Sequence, residues 1–341
     1  MAADTDTASF HDRLVGPEVV DLPRGFFDRL MFNMHPVDER SPSVIMGYGI
    51  YPPRGTSDGF VVVTDDVEQR NLRFSSEIEA SGRQGAGPFS FEVVEPNQEW
   101  RLTLAPNDIA VEFDLTWRAR TAAWFGEVAV ENASATRTAF DHLFQSGRYE
   151  GSLRIDGREI PVDGWYGQRD RSRGVRTMSG GQGLHVWYQA QFPDFSIGFL
   201  LVETREHDRL LLEGAVMHED GRLDPITDVR HSLQFSEAGD LVDGDVHVAT
   251  RSGEKYVVHA DGRAGGGFMA GAGYGGHHGE SHGVDHIEHD RYLLDGSVSP
   301  RTLDSALTDR LCSFSLDGVR GTGIFEFALT RSSTYRYRPT L

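Results

Sequence analysis

Four arginines, one carboxylate and two aromatic rings crowd into the run Gly164-Trp165-Tyr166-Gly167-Gln168-Arg169-Asp170-Arg171-Ser172-Arg173-Gly174-Val175-Arg176. A guanidinium and a carboxylate can pair as a bidentate fork, and an indole or phenol face can cover a cation. Two readings stand side by side. The run is either a structural clasp between two halves of a β protein or a site where arginines hold a partly buried Asp170. The clasp is the simpler, because ion-pair networks perturb acids without making them catalytic. Arginine neighbours would also keep Asp170 ionised, which counts against it as a proton donor.

A second concentration lies at 275–290, with His277, His278, His282, His286 and His289 among Glu280, Asp285, Glu288 and Asp290. Imidazoles and carboxylates at short spacing can bind zinc or a similar divalent ion. A glycine-rich loop, however, lacks the supporting groups that fix a coordination shell. The expectation is therefore a lid or adventitious binding, with no resident metal and no cofactor. Tyr274 and His277 would line a pocket if this loop folds over a barrel mouth. Gly271-Ala272-Gly273-Tyr274-Gly275-Gly276 matches G-x-G-x-x-G in form only, since no βαβ unit surrounds it. No Walker loop, HExxH or nucleophile elbow occurs.

The elements that must position these residues are strands. Ile109, Val111, Phe113, Leu115 and Trp117 alternate with Ala110, Glu112, Asp114, Thr116 and Arg118, a period of two that buries one face. Similar runs recur at 43–51, 59–64, 89–95, 99–104 and 122–130, then at 185–192, 195–204, 211–218, 228–235, 242–249 and 254–260. Asp156-Gly157, Asp220-Gly221, Asp261-Gly262 and Asp317-Gly318 supply tight turns. Only 23–34 and 302–311 have short-helix character. The fold class is all-β: two antiparallel barrels or sandwiches, at 20–178 and 179–341. Such a barrel holds an apolar ligand in its mouth, and the crevice between two of them is a second possible site. In the run Leu184-His185-Val186-Trp187-Tyr188, His185 and Trp187 share one strand face. On a barrel interior that pair is an acid or cation stabiliser, or else a core histidine packed on an indole.

Composition narrows the partners. The chain has 341 residues, 38% of them hydrophobic, and a net charge of −19. That charge argues against nucleic acid and against docking on anionic lipid. Lys255 is the only lysine, which makes Schiff-base chemistry improbable. Cys312 is the sole cysteine and reads as a small buried hydrophobe, so no internal disulfide forms. The first residues, Met1-Ala2-Ala3-Asp4-Thr5-Asp6, lack the basic and apolar regions of a signal peptide, and no apolar run approaches the ~20 residues of a membrane helix. A cytoplasmic protein with no stable membrane insertion is expected; oligomeric state is not readable.

Gln145-x-Gly147-x-x-x-Gly151, Asp156-Gly157 and Asp163-Gly164 lead into Gly167-x-Arg169-Asp170-x-Ser172-x-Gly174-x-Arg176. This pattern resembles the signature of the double-lipocalin superfamily, which includes carotenoid 1,2-hydratases (hydroxyneurosporene synthases), AttH-type proteins and fungal lipocalin-like Diels–Alderases. Tyr51-Pro52-Pro53-Arg54-Gly55 with Asp58-Gly59-Phe60, and Gly321-x-Gly323-x-Phe325-Glu326, extend the likeness over about 40–335. Arg173 stands where such motifs usually have Trp. The resemblance implies a hydrophobic small-molecule partner. His185-x-Trp187 resembles the His-x-Trp pair of the family's hydratases; their Tyr-x-Asp pair has no clear match, and Glu213 is the nearest acid.

The leading expectation is an enzyme that hydrates or cyclises an alkene of an isoprenoid-like substrate after protonating it. Such chemistry needs a protonated acid in a dry pocket and aromatic faces around the developing cation. Asp170, His185 and Glu213 are the candidate acids. Tyr166, Arg169, Arg176, Trp187, Tyr274 and His277 are the candidate substrate contacts. Glu326 is expected to pair with a central arginine, and Arg54 and Asp58 to fix a turn. The alternatives are a non-catalytic lipocalin-type carrier and a cyclase acting by shape and hydrogen bonding alone.

Overall fold

A computed structural model describes residues 12–38, 42–81, 84–131, 137–176 and 182–341. The boundary expected at 178 and the first six residues lie outside them. The chain is all-β, as expected. The first sheet takes β1 (Phe26–Met34), β2 (Ser43–Tyr51), β3 (Thr56–Thr64), β4 (Glu68–Glu77), β5 (Gly85–Ala86), β6 (Phe89–Glu95), β7 (Glu99–Leu104), β8 (Val111–Ala119), β9 (Trp124–Glu131), β10 (Arg137–Ile155) and β11 (Arg158–Val175). A closed barrel follows: β12 (Gln182–Gln191), β13 (Phe195–Thr204), β14 (Arg209–His218), β15 (Leu223–Phe235), β16 (Leu241–Thr250), β17 (Lys255–Phe268), β19 (Thr308–Leu316) and β20 (Val319–Leu329). Between β17 and β19 the chain leaves the barrel, and β18 (His286–Leu293) pairs with β4 at the edge of the first sheet.

Neither segment expected to be helical is a helix: 23–34 is mostly strand, and 302–311 is irregular backbone leading into a strand. Phe26, Phe27, Leu30, Met31 and Met34 do fall at helical spacing, but β1 is a strand of the first sheet whose two faces pack into separate apolar clusters, so alternation disappears. Residues 303–307 are bend and irregular backbone after a turn, and 308–311 opens β19. Asp156-Gly157 and Asp317-Gly318 close two-residue hairpins with positive φ at both residues. Asp261-Gly262 instead lies within β17, where the register shifts against β19.

The paired motif glycines Gly147 and Gly167 face each other across β10 and β11. A methyl at Gly147 would meet the Trp117 indole at 2.2 Å, and one at Gly167 the Asn33 carbonyl at 1.9 Å. Close packing, rather than turn geometry, requires them. Alternation along β11 then splits the central motif between two faces. Arg169 and Arg171 point into the core of the first sheet, both fully buried. Arg169 lies over Trp100 and Trp117 at 5.1 and 5.5 Å and bonds Asp12 at 3.0 Å. Burial draws its guanidinium down to about 10, opposed by Asp12, so it stays charged at neutral pH. Arg171 forks onto Asp28 at 2.6 and 2.8 Å and donates to the Arg13 carbonyl at 2.8 Å. Asp28 also accepts from Val15 N–H at 2.7 Å. The clasp therefore ties residues 12–15 to the first sheet instead of joining the two halves.

Replacing Asp28 with Asn should leave Arg171 buried without its counter-charge and cost about 3–5 kcal/mol in urea unfolding. A loss below about 1 kcal/mol would show that the ion pair does not hold this segment.

Candidate functional site between the two sheets

The barrel interior is filled. Tyr188 stacks on Phe199 with centroids 4.7 Å apart, and Phe314 and Phe325 close around them. Leu184, Val186 and Tyr188 turn into this core, so His185 and Trp187 turn outward. The expectation that the pair faces the barrel interior is thus reversed: large apolar side chains already fill that space. Trp187 joins Phe27, Met31, Phe60, Phe140, Leu200 and Met269 in an apolar cluster between the barrel and the first sheet.

Strand register sets a row across the barrel's outer face: Gly267 opposite Asp309, Asp309 opposite Glu326, Glu326 opposite Trp187, Trp187 opposite Leu200, and Leu200 opposite Glu213. Directly paired residues point to the same side. The facing surface of the first sheet carries Arg29 opposite Ser172, Ser172 opposite His142, and Met31 opposite Asp170. Two rows of ionisable groups therefore meet where water is largely excluded.

His142 joins them. Its Nε2 donates to Asp170 Oδ2 at 2.6 Å, and its Nδ1 to Glu213 Oε1 across the interface. Glu213 Oε2 accepts from Trp124 Nε1 at 2.6 Å. Gly126 makes this reach possible, since a methyl there would lie 2.1 Å from Glu213 Oε2. Burial pulls the His142 pKa down, but Asp170 and Glu213 outweigh it and push it up to about 10. His142 is an imidazolium bridging two carboxylates, and both of those carboxylates are engaged.

Beside it lies a different pair. Asp309 is fully buried, and among the described residues no N–H or O–H group donates to either of its oxygens. Glu326 lies directly opposite it in the register of β19 and β20. Burial, then the charge of Glu326, raises the Asp309 carboxyl well above its usual range. A buried carboxyl beside a second carboxyl is favoured in its neutral form. Glu326 Oε1 is also 3.0 Å from His185 Nε2, so its partner is a histidine and not the expected central arginine.

A third group closes the interface. Asp58 accepts from Gly279 N–H at 2.5 Å and lies 3.4 Å from His278 Nδ1; Tyr51 donates to it at 3.3 Å. Burial and then Arg29 push His278 down to about 4, so it is neutral at pH 7. Burial alone would raise Asp58, but His278, then Arg29 and the Gly279 N–H, hold it below its usual range. Arg54 donates to the Gly279 carbonyl at 2.7 Å. Arg54 and Asp58 thus anchor the glycine-rich segment after β17, a larger role than fixing their own turn. That segment packs Tyr274 against Phe60, His278 and Arg29. Arg176 lies over Phe140 at 4.5 Å, within electrostatic reach of Tyr274, Asp170 and Glu326.

Of the residues expected from sequence, Asp170, His185, Glu213, Arg176, Trp187 and Tyr274 come together here. Three do not. Arg169 is inside the first sheet. Tyr166 lies beneath Arg120 and Arg148 at 4.7 and 5.0 Å, beside a charged groove of about 340 Å³ lined by Arg118, Arg120, Arg148, Glu150 and Glu219. His277 turns toward His282 and β18. Sequence reasoning missed Arg29, Tyr51, His142 and Asp309 as site residues, and it read His278 only as one of the histidines at 275–290. Alternation of Phe140, His142 and Phe144 could have placed His142, but Asp309 was hidden by the helical reading of 302–311.

The model of DUF8625, a family of unknown function, matches residues 18–335. The chain belongs to that family. No curated protein matches the sequence. Among solved structures, an AttH protein from Nitrosomonas europaea aligns over 92% of this chain and 98% of its own, at 11% identity and a TM-score of 0.58. Kievitone hydratase from Nectria haematococca aligns over 94% and 97% at 12% identity and 0.47. CghA bound to Sch210972 aligns over 94% of each chain at 10% identity and 0.46. The family member described here has the AttH-like double-lipocalin fold. No helix among its described residues is long and apolar enough to cross a membrane.

The His142 bridge predicts a pH signature. A folded pKa near 10 against 6.5 unfolded gives stability that is complete below about 6.5 and lost as pH rises toward 10. Across that window His142 should contribute a fall of up to about 1.4 kcal/mol per pH unit in unfolding free energy. Urea titrations should show this fall in the wild type and a shallower one in Glu213→Gln; equal slopes would remove Glu213 from the bridge.

Proposed function

We propose that this protein is an enzyme that protonates an alkene in a hydrophobic, isoprenoid-like small molecule, leading to hydration or cyclisation between the two sheets. The observation that carries this reading is the fully buried Asp309 carboxyl, paired with Glu326 across two strands and raised by burial, beside the apolar cluster of Trp187, Phe60 and Phe140. Protonating an alkene needs a carboxyl that stays neutral at physiological pH, and burial beside a like charge provides it. Asp170 and Glu213 suit the donor role less, because His142 engages both.

In this reading Asp309 gives its proton to the alkene carbon, leaving a carbocation at the neighbouring carbon and a carboxylate on the enzyme. Trp187, Tyr274 and Phe60 offer π faces to the cation. In hydration, water forms the new C–O bond and its surplus proton returns through His185 and Glu326 to Asp309. In cyclisation, an internal double bond attacks instead, and loss of a proton to the same relay restores the pair. Arg29 and Arg176 lie within electrostatic reach of the surrounding carboxylates, and the resemblance of the central motif to that of carotenoid hydratases agrees with this substrate class.

Acyclic prenyl and polyene compounds incubated with the protein in deuterium oxide should yield a product with one deuterium on carbon. Asp309→Asn should lower turnover by about 10²–10⁴-fold while ligand affinity stays within a few-fold. Ligand binding with no conversion by the wild type would favour a carrier. Unimpaired turnover in Asp309→Asn would remove this residue as the acid.

A further inference from the structure

The polar face of β18 carries His286, Glu288 and Asp290, alternating with exposed Ile287, His289 and Arg291. That face meets the anchored segment after β17. One ligand atom each from His277, His282 and Glu288 lie within 4.8 Å of one another. The His277 and His282 rings stack at 4.5 Å and 13°, and His286 stacks on His282 at 5.0 Å and 17°. The His277 side chain is only 7% exposed, and among the described residues its Nε2 finds no hydrogen-bond partner. A buried donor or acceptor left unmatched costs about 1–3 kcal/mol, which a bound ligand would offset.

The supports that a coordination shell requires are present. Glu288 Oε1 lies 2.8 Å from His286 Nε2, and Arg73 Nε is 3.4 Å from Oε2, so the carboxylate is oriented from both sides. Arg73 is itself paired with Asp290 at 3.1 Å. Between His277 and His282 the backbone is pinned at Gly279, whose N–H meets Asp58 and whose carbonyl meets Arg54. The reason for discounting a metal in the sequence was the looseness of this loop, and these anchors remove it.

We propose that His277, His282 and Glu288 bind one divalent transition-metal ion of the zinc type, with His286 orienting Glu288. Two imidazoles and a carboxylate form a borderline donor set suited to such ions, and three protein ligands leave a position for water. The ion would tie the segment bearing Tyr274 and His278 to β18, and through β4 to the first sheet. It would act as a clamp on one wall of the interface, independent of whether Asp309 is an acid.

The test uses the untagged full chain, stripped with a chelator and titrated with zinc chloride by calorimetry, then with cobalt(II) by visible absorption. One ion per chain is expected, with the intense cobalt bands of a four-coordinate site. His282→Ala, at an exposed position, and Glu288→Gln should each weaken zinc binding at least about tenfold. Absence of saturable zinc uptake would overturn the proposal. So would one-per-chain uptake with unchanged affinity in both variants, because the ion would then sit elsewhere.

Discussion

Everything in this molecule depends on how charge is handled between two sheets that press together. The barrel's outer face presents Asp309, Glu326 and Glu213; the facing sheet presents Arg29, Asp58, His142 and Asp170. Each would be solvated on an isolated sheet. Packed together they must find a partner, change protonation or remain at a cost of several kcal/mol. Three solutions appear within one interface: an imidazolium between two carboxylates, a carboxylate beneath an anchored backbone N–H, and a buried carboxyl beside a second one, which favours its neutral form. The third is the one the proposed reaction draws on.

The core arginines answer the same constraint on the other side of the first sheet. Arg169 and Arg171 satisfy Asp12 and Asp28 and fasten the start of the described chain onto the first sheet. Asp170, between them in sequence, points the opposite way. One strand thus serves both the clasp and the interface, which explains why a single motif supported two readings.

Fold class was legible because the exposed faces of β6, β7 and β8 alternate with a period of two and aspartate–glycine pairs close several hairpins. It failed where burial is two-sided, as in β1, since hydrophobicity on both faces erases the period. The site was half legible. His185-x-Trp187 and Asp170 stand in recognisable patterns, but which way each points depends on what fills the barrel. His142 meets a residue 71 positions away, and Asp309 meets Glu326 only through the register of two adjacent strands. Spacing in the sequence does not encode either encounter. The histidine-rich segment reads as loose because the residues that anchor it, Arg54 and Asp58, lie more than two hundred positions earlier.

The most direct test of the account is the protonation state of Asp309. Infrared spectroscopy of protein labelled with carbon-13 at aspartate carboxyls can follow each protonated carboxyl through a pH titration. A protonated aspartate band that persists through neutral pH and disappears in Asp309→Asn is the predicted result. If every aspartate band titrates in the ordinary carboxylate range, the proposed acid is absent.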